Sequence, residues 1–347
     1  MIALEDTAVT SANVSVGDLD GDGHLDLVLV RGRHWPLENL VLLGDGAGGF
    51  ASAYPLGGSA DRSYSGELAD LDGDGDVDVV VSNDDPDPKR VHLNDGTGHF
   101  ELAFTFGEAE WSTRHLRLAD LDADGRLDAI LANRYGSQQG PSFVCFGVDG
   151  GRFADSCTPV SEGSATTIIP ADMNGDGAPD LVVPHRDGGQ GKVLINDGRG
   201  GFEHSHPFGP ADATIRSAVP ADLNGDGILD LVTIDQSSGP AVYAGRSDGS
   251  YGPPEPLPAQ DARPYALAVH DLDDDGDLDI VVGNVEAASL VYFNDGPGGF
   301  TSVSFGDDEG TVYGFGFGDF DEDGFQDIAV ARSGARNMLH FGGPAIP

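Results

Sequence analysis

Nine residues recur seven times in this chain at an almost constant spacing. The copies are DLDGDGHLD from Asp18, DLDGDGDVD from Asp70, DLDADGRLD from Asp120, DMNGDGAPD from Asp172, DLNGDGILD from Asp222, DLDDDGDLD from Asp271 and DFDEDGFQD from Asp319. Successive copies start 52, 50, 52, 50, 49 and 48 residues apart. A period near fifty that runs the length of a chain means one supersecondary unit repeated, and this limits the fold before any other feature is read.

Each unit has the same grammar. An apolar segment such as YSGELAD leads into the acidic loop, and a β-branched run such as VDVVVS leaves it. A third strand follows, RVHLNDG in the second unit, then a turn and an aromatic: Phe50, Phe100, Phe153, Phe202, Tyr251 and Phe300. A fourth short strand comes after that aromatic. Four strands in fifty residues, joined by tight turns, describe a propeller blade. No amphipathic helix is expected. The seventh unit stops at NMLHFGGPAIP, before a fourth strand, whereas MIALEDTAV precedes the first loop. The expected fold is therefore an all-β, seven-bladed propeller of four-stranded antiparallel blades. It forms a single domain over 1–347, its ring closed by the N-terminal strand.

The loop spacing is D-x-D-x-D-G-x-x-D. Side chains at positions 1, 3 and 5 of a tight loop converge, and glycine at 6 permits positive φ. With a carbonyl at 7 and the carboxylate at 9, the donors are hard oxygens suited to Ca²⁺, in up to seven mainly structural sites. Mg²⁺ demands stricter geometry and fits less well. An EF-hand would place its last acid at 12 between helices; here the flanks are strands. The expected ligands are Asp18, Asp20, Asp22 and Asp26 in loop 1, and Asp70, Asp72, Asp74 and Asp78 in loop 2. In loop 3 they are Asp120, Asp122, Asp124 and Asp128, and in loop 4 Asp172, Asn174, Asp176 and Asp180. Loop 5 offers Asp222, Asn224, Asp226 and Asp230, and loop 6 Asp271, Asp273, Asp275 and Asp279. Loop 7 offers Asp319, Asp321, Asp323 and Asp327. Asn174 and Asn224 bring less charge, so weaker sites are expected there.

These loops also account for the composition. The chain carries 59 acids against 18 Lys plus Arg, a formal net charge of −41. Such an excess repels nucleic acid and anionic membranes, which excludes both as partners of the surface as a whole. No apolar run is long enough for a transmembrane helix. The start, MIALEDTAVTSANVSV, lacks the basic and apolar regions of a secretory signal. Extracellular or periplasmic residence is nevertheless expected, because loops of this type in extracellular modules bind at roughly 0.1–1 mM Ca²⁺. Cys145 and Cys157 flank a hairpin that turns around VDGG, diagonally across its arms. They form either a bridge or two buried thiols.

The pattern YGFGFGDFDEDGFQDIAVA, repeated along the chain, resembles the FG-GAP or VCBS repeats of integrin α-subunits, bacterial secreted proteins and some fungal lectins. The resemblance covers essentially the whole chain. It implies a seven-bladed propeller with Ca²⁺ between the first and second strands of each blade. It implies no single activity: members include adhesion modules, sugar binders and, on related propellers, lyases.

Specificity is expected at the strand ends opposite the loops. Six residues before each loop stand Ala12, Tyr64, Arg114, Thr166, Arg216, Tyr265 and Tyr313. Thirteen after each loop start stand Arg31, Asn83, Asn133, His185, Asp235, Asn284 and Arg332, expected to neighbour the first set. Arg33, Arg62, Arg134, Arg186, Arg263 and Arg336, His34 and both tryptophans map to the same end. The expected ligand-binding residues are Arg31, Trp35, Tyr64, Trp111, Arg114, Tyr135, Arg216, Tyr265, Tyr313 and Arg332. They suit a glycan or another small polar or anionic ligand; ordinary surface arginines and tryptophans packed on neighbouring blades are the alternative. His115, Tyr64, Arg114 and His185 are the catalytic candidates, for β-elimination from a uronic acid or a small-molecule cyclase or isomerase reaction. A protein-binding adhesion or scaffold module is the remaining alternative. No G-x-S-x-G, P-loop, dinucleotide fingerprint or H-E-x-x-H is present.

Overall fold

The computed structural model describes residues 1–136, 140–258, 261–296 and 299–343. Among these the regular structure is β, with no α-helix. The chain divides into two compact units. The first holds Met1–Thr113, Asp149–Arg152 and Glu309–Pro347, and the second holds Arg114–Val148 and Phe153–Asp308.

In the first unit, repeat 1 forms the strands Val9–Gly17, Asp26–Arg31, Leu37–Gly44 and Phe50–Asp61, hydrogen-bonded antiparallel in that order. Repeat 2 repeats the pattern with Ser63–Ala69, Asp78–Asn83, Lys89–Asn94 and Phe100–Phe106. Repeat 7 supplies three strands, Thr311–Gly318, Asp327–Ala335 and Met338–His340. Its outer neighbour is the N-terminal strand Ile2–Ala3, with Ile2 opposite Leu339 and Ala3 opposite Met338. In the second unit, repeats 4 and 5 form separate four-stranded sheets, and repeat 3 forms one from Thr113–Ala119, Asp128–Asn133, Ser142–Cys145 and Thr158–Ser161. Repeat 6 runs through Arg263–His270, Asp279–Val285, Ser289–Asn294 and Phe300–Phe305.

The second strands read as unbroken apolar runs because both of their faces are covered. In Asp26–Arg31, Leu27 and Leu29 pack on one side with Ala329, Ala331 and Leu339 of repeat 7. Val28 and Val30 pack on the other side with Val79 and Val81 of repeat 2. All four are wholly buried. The second unit does the same: Leu181 and Val183 face Ile130 and Ala132, whereas Val182 faces Leu231. Burying each such side chain contributes about 1.5–3 kcal/mol.

A polar latch reinforces this packing, and it alternates along the chain. Asn94 and Asn294 end the third strands of repeats 2 and 6, and Asn196 directly follows that of repeat 4. Each amide donates to the backbone oxygen at position 2 of the preceding loop: Leu19 at 2.7 Å, Leu121 at 2.8 Å and Leu223 at 2.9 Å. The odd repeats carry Gly44, Gly147, Gly245 and Gly342 at the same point. There a Cβ would lie only 2.2–2.6 Å from the position-8 carbonyl oxygen, so close approach, not an unusual φ, excludes a side chain.

Cys145 and Cys157 are joined in a disulfide that closes 12 residues of sequence. Val144 pairs with Thr158, so the cysteines stand directly opposed, not diagonally as their spacing suggested. Replacing both by serine is expected to lower the unfolding free energy by about 3 kcal/mol. Denaturant titration of the wild type in reductant should reproduce that loss; an unchanged midpoint would refute it.

Candidate functional site

The seven acidic loops share one hydrogen-bond scheme. At position 1, one carboxylate oxygen accepts the N–H of the position-6 glycine in every loop, at 2.8–3.1 Å. At position 5, the side chain accepts the N–H of position 7, at 2.8–3.0 Å. The position-6 glycines all have positive φ, 80–97°, as the sequence required, and nothing lies near their missing side chains. Position 4 is also left-handed. Gly21, Gly73, Gly175 and Gly225 take that conformation freely, but Ala123, Asp274 and Glu322 are held there at φ 56–59°. Sequence spacing gave no sign of this strain.

Position 9 has a second role that the ligand pattern concealed. Asp26, Asp78, Asp128, Asp180, Asp230, Asp279 and Asp327 are all buried. One oxygen of each accepts the N–H of loop position 2, from Leu19 at 2.7 Å to Leu223 at 3.3 Å. The other accepts the N–H at the end of the third strand, from Gly44, Asn94, Gly147, Asn196, Gly245, Asn294 and Gly342 at 2.7–2.9 Å. Burial pushes all seven carboxyls above the ordinary range, Asp128 and Asp279 to about 6, and neighbouring loop acids add to the effect.

The loops also suit a cation. Carboxylate oxygens of positions 1, 3 and 9 lie within 4.8 Å of one another in loops 2, 3, 6 and 7, and those of Asp18, Asp20 and Asp22 do so in loop 1. Asp271 Oδ1 and Asp321 Oδ1 are buried without a hydrogen-bond partner, at positions 1 and 3 of loops 6 and 7. Buried anionic oxygens left open beside other carboxylates fit a hard divalent ion. Loop 3 differs, because Arg126 Nη1 already sits 2.5 Å from Asp124 Oδ2.

At the opposite strand ends, the two sets lie side by side, offset by one residue in register. Arg31 pairs with Ser11, Asn83 with Ser63, Asp235 with Ile215, Asn284 with Pro264 and Arg332 with Val312. The pairing skips Ala12, Tyr64, Arg216, Tyr265 and Tyr313, which are bulge residues. A bulge leaves one residue unpaired and re-aims its side chain, so these positions leave the sheet faces.

In the first unit two of them converge. The Arg33 guanidinium lies 3.9 Å from the Tyr313 ring centroid and 5.9 Å from that of Tyr64, and Arg33 Nη1 donates to Ser333 Oγ at 2.9 Å. Repeat 1 has only Ala12 in the bulge column, where these repeats carry tyrosine, and Arg33 is clamped from the two sides instead. Trp35 stands 69% exposed in the same turn. Trp111 has an internal role: its backbone oxygen accepts from Lys89 Nζ at 2.8 Å, and its ring covers that buried ammonium. Burial lowers Lys89 to about 7.

In the second unit Arg216 stacks 3.4 Å from the Tyr265 centroid and donates from Nε to the Tyr265 backbone oxygen at 2.6 Å. Tyr135 accepts from Asn133. Burial holds His115 well below its ordinary value and lowers His185 as well; each also hydrogen-bonds backbone. Arg114 is half-buried beside His115. Tyr64 belongs to the first unit, where its phenol meets His34, a partner the sequence reading did not assign. Most expected arginines are engaged internally: Arg31 with Glu5, Arg62 with Asp87, Arg134 with Asp187 and Arg332 with the Arg336 oxygen. Stacks and ion pairs thus engage these guanidinium groups, whose planar five-donor fork suits both.

The FG-GAP-like repeat profile matches residues 18–81, 70–131, 172–233, 222–282 and 271–330, each stretch running from one acidic loop through the next. The chain belongs to the FG-GAP-like repeat family. Comparison with curated proteins gives no match. Among solved structures, BBS1N in complex with ARL6DN, soaked with lead, aligns with TM-score 0.64 and 13% identity over 98% of this chain and 95% of that one. The mercury-soaked form gives the same score and identity over 98% and 94%. Chaetomium thermophilum Raptor aligns at 0.61 and 13% over 99% of this chain and 29% of its own. These likenesses support a β-propeller-like fold for the FG-GAP repeats here.

The two roles of the FG-GAP loop acids are separable. Asp78→Ala leaves two buried N–H groups unpaired and is expected to cost about 2–6 kcal/mol with or without chelator. Asp74→Ala, which loses only the solvent-exposed bond from Asp76 N–H, should lower stability more with divalent metal present than with chelator. Equal losses for Asp74→Ala in both conditions, by thermal melts, would contradict this division.

Proposed function

We propose that this protein is a seven-bladed propeller that binds an anionic glycan at the strand ends remote from its acidic loops. Seven loop motifs and the pairing of Ile2–Ala3 with Met338–His340 support the blade number and a closed ring. The loops bind Ca²⁺ through positions 1, 3, 5 and 9. The convergent oxygens and the unpartnered Asp271 Oδ1 and Asp321 Oδ1 support this. Ca²⁺ supplies countercharge that lets the acids stay ionised and close together, and no chemistry beyond that is asked of it. The Cys145–Cys157 bridge supports an extracellular or periplasmic setting.

The observation that carries the binding reading is the Arg33 guanidinium held against Tyr313, with Tyr64 nearby and Trp35 exposed beside it. A fixed cation recognises a carboxylate or sulfate, and an exposed indole stacks on a sugar ring. A protein partner is the second reading, favoured by the likeness to BBS1N, whose structure is a complex with ARL6DN.

Two measurements test the proposal. Chelation should lower the melting temperature, each loop filled at ten times its Kd contributing about 1.4 kcal/mol; an unchanged melt with no bound divalent metal would remove the calcium reading. A glycan array in calcium should show binding to acidic sugars, which Trp35→Ala weakens about ten-fold with no change in melting temperature. A blank array across acidic glycans would turn the reading toward a protein partner.

A further inference from the structure

A carboxylate, an imidazole and a phenol meet in the first unit beside the clamped guanidinium. Asp84 Oδ2 lies 3.4 Å from His34 Nδ1, with the carboxylate 9% exposed and the imidazole 56% exposed. The Tyr64 hydroxyl lies 3.2 Å from His34 Nε2, and the two rings meet edge to face at 72°. The turn that carries Arg33 and His34 is held in a demanding conformation, with φ 113° at Gly32 and 55° at Arg33. A side chain at Gly32 would strike the Asp61 oxygen at 2.3 Å. Backbone bonds fix the turn to repeat 2, Arg33 N–H to the Ser63 oxygen at 3.1 Å, while Asp84 N–H is held by the Arg62 oxygen at 2.8 Å. A strained, over-determined turn that places a base, an acid and a cation together has the character of a reaction site. Arg33 Nε, buried, has no hydrogen-bond partner inside the protein.

We infer that Arg33, His34 and Tyr64 catalyse β-elimination on a uronic acid within the anionic glycan, a step that rests on the glycan-binding reading above. Arg33 pairs with the uronate carboxylate and offsets charge that develops on the adjacent carbon. His34, oriented by Asp84, removes the proton from that carbon. The electron pair becomes a carbon–carbon double bond, and the bond from the next carbon to the glycosidic oxygen breaks. The departing oxygen takes the Tyr64 proton, and the proton on His34 returns to the phenolate. No proton is gained or lost overall, and no oxidant, water or cofactor is consumed. Trp35 offers the stacking surface for the sugar ring. Hydrolysis fits less well, since it uses two carboxylates flanking the bond, and Asp84 lies nearly buried against the imidazole.

The geometry also selects the substrate. The base and acid are 3.2 Å apart, so the proton leaves and the oxygen departs on the same face of the ring. Glucuronate and mannuronate present those two groups on one face, whereas galacturonate and iduronate present them on opposite faces. The calcium-loaded protein should therefore produce ultraviolet-absorbing unsaturated ends from polyglucuronate, hyaluronan or polymannuronate, and none from polygalacturonate. Tyr64→Phe and His34→Ala should each cut turnover about a hundred-fold or more while calorimetric binding of the same polymer persists. Asp84→Asn, a positioning variant, should lower kcat with KM unchanged and shift the pH profile. Melting temperatures identify any variant that has lost its fold, and wild-type stereochemistry tests the assignment without variants. Binding of these polymers without unsaturated product overturns the elimination and leaves the glycan reading standing. No binding at all overturns both, and product from polygalacturonate alone overturns the same-face arrangement.

Discussion

In every repeat a buried aspartate at the start of the second strand accepts one backbone N–H from the acidic loop and one from the third strand. The loop, the second strand and the third strand are thereby tied at one point, beyond the ladder that already pairs the two strands. A buried carboxylate is costly in an apolar sheet unless it is fully hydrogen-bonded, and two backbone donors meet that need. The cost appears as carboxyls raised by burial, to about 6 for Asp128 and Asp279. The same bond holds the loop backbone in the curl that brings positions 1 and 3 near position 9. The anchor and the cluster of loop oxygens thus share one side chain, and among the other three oxygen-bearing positions only position 3 varies, to Asn174 and Asn224.

Repetition builds a rigid frame, and departures from repetition supply chemistry. The second strands are almost interchangeable, each apolar on both faces. The bulge column is not: it holds Ala12, Tyr64, Arg216, Tyr265 and Tyr313 at equivalent places. Where repeat 1 has only a methyl group, Arg33 lies against Tyr313. Where repeat 5 carries Arg216, Tyr265 of repeat 6 receives it. A scaffold that repeats its core can vary one bulge residue per unit, because the ladder pairs on either side of the bulge are kept.

The sequence by itself determined the period, the strand–loop–strand order and the glycines at position 6, whereas the structure groups three acids of the expected four in loops 1, 2, 3, 6 and 7. The first three are local facts: a nine-residue loop and its flanking strands encode their own geometry through φ, alternation and turn chemistry. Only the tertiary structure decided what links one repeat to another. The one-residue offset of Arg31 and Arg332 came from a bulge, which leaves no composition signal. The alternation of Asn94, Asn196 and Asn294 with glycines was visible as letters but gained meaning only when the amides reached the preceding loops. The contact of Arg33 with Ser333 spans 300 residues, and that of His34 with Tyr64 joins neighbouring repeats. Such pairings depend on how sheets stack, and stacking is set by the summed packing of buried faces, which no single repeat contains.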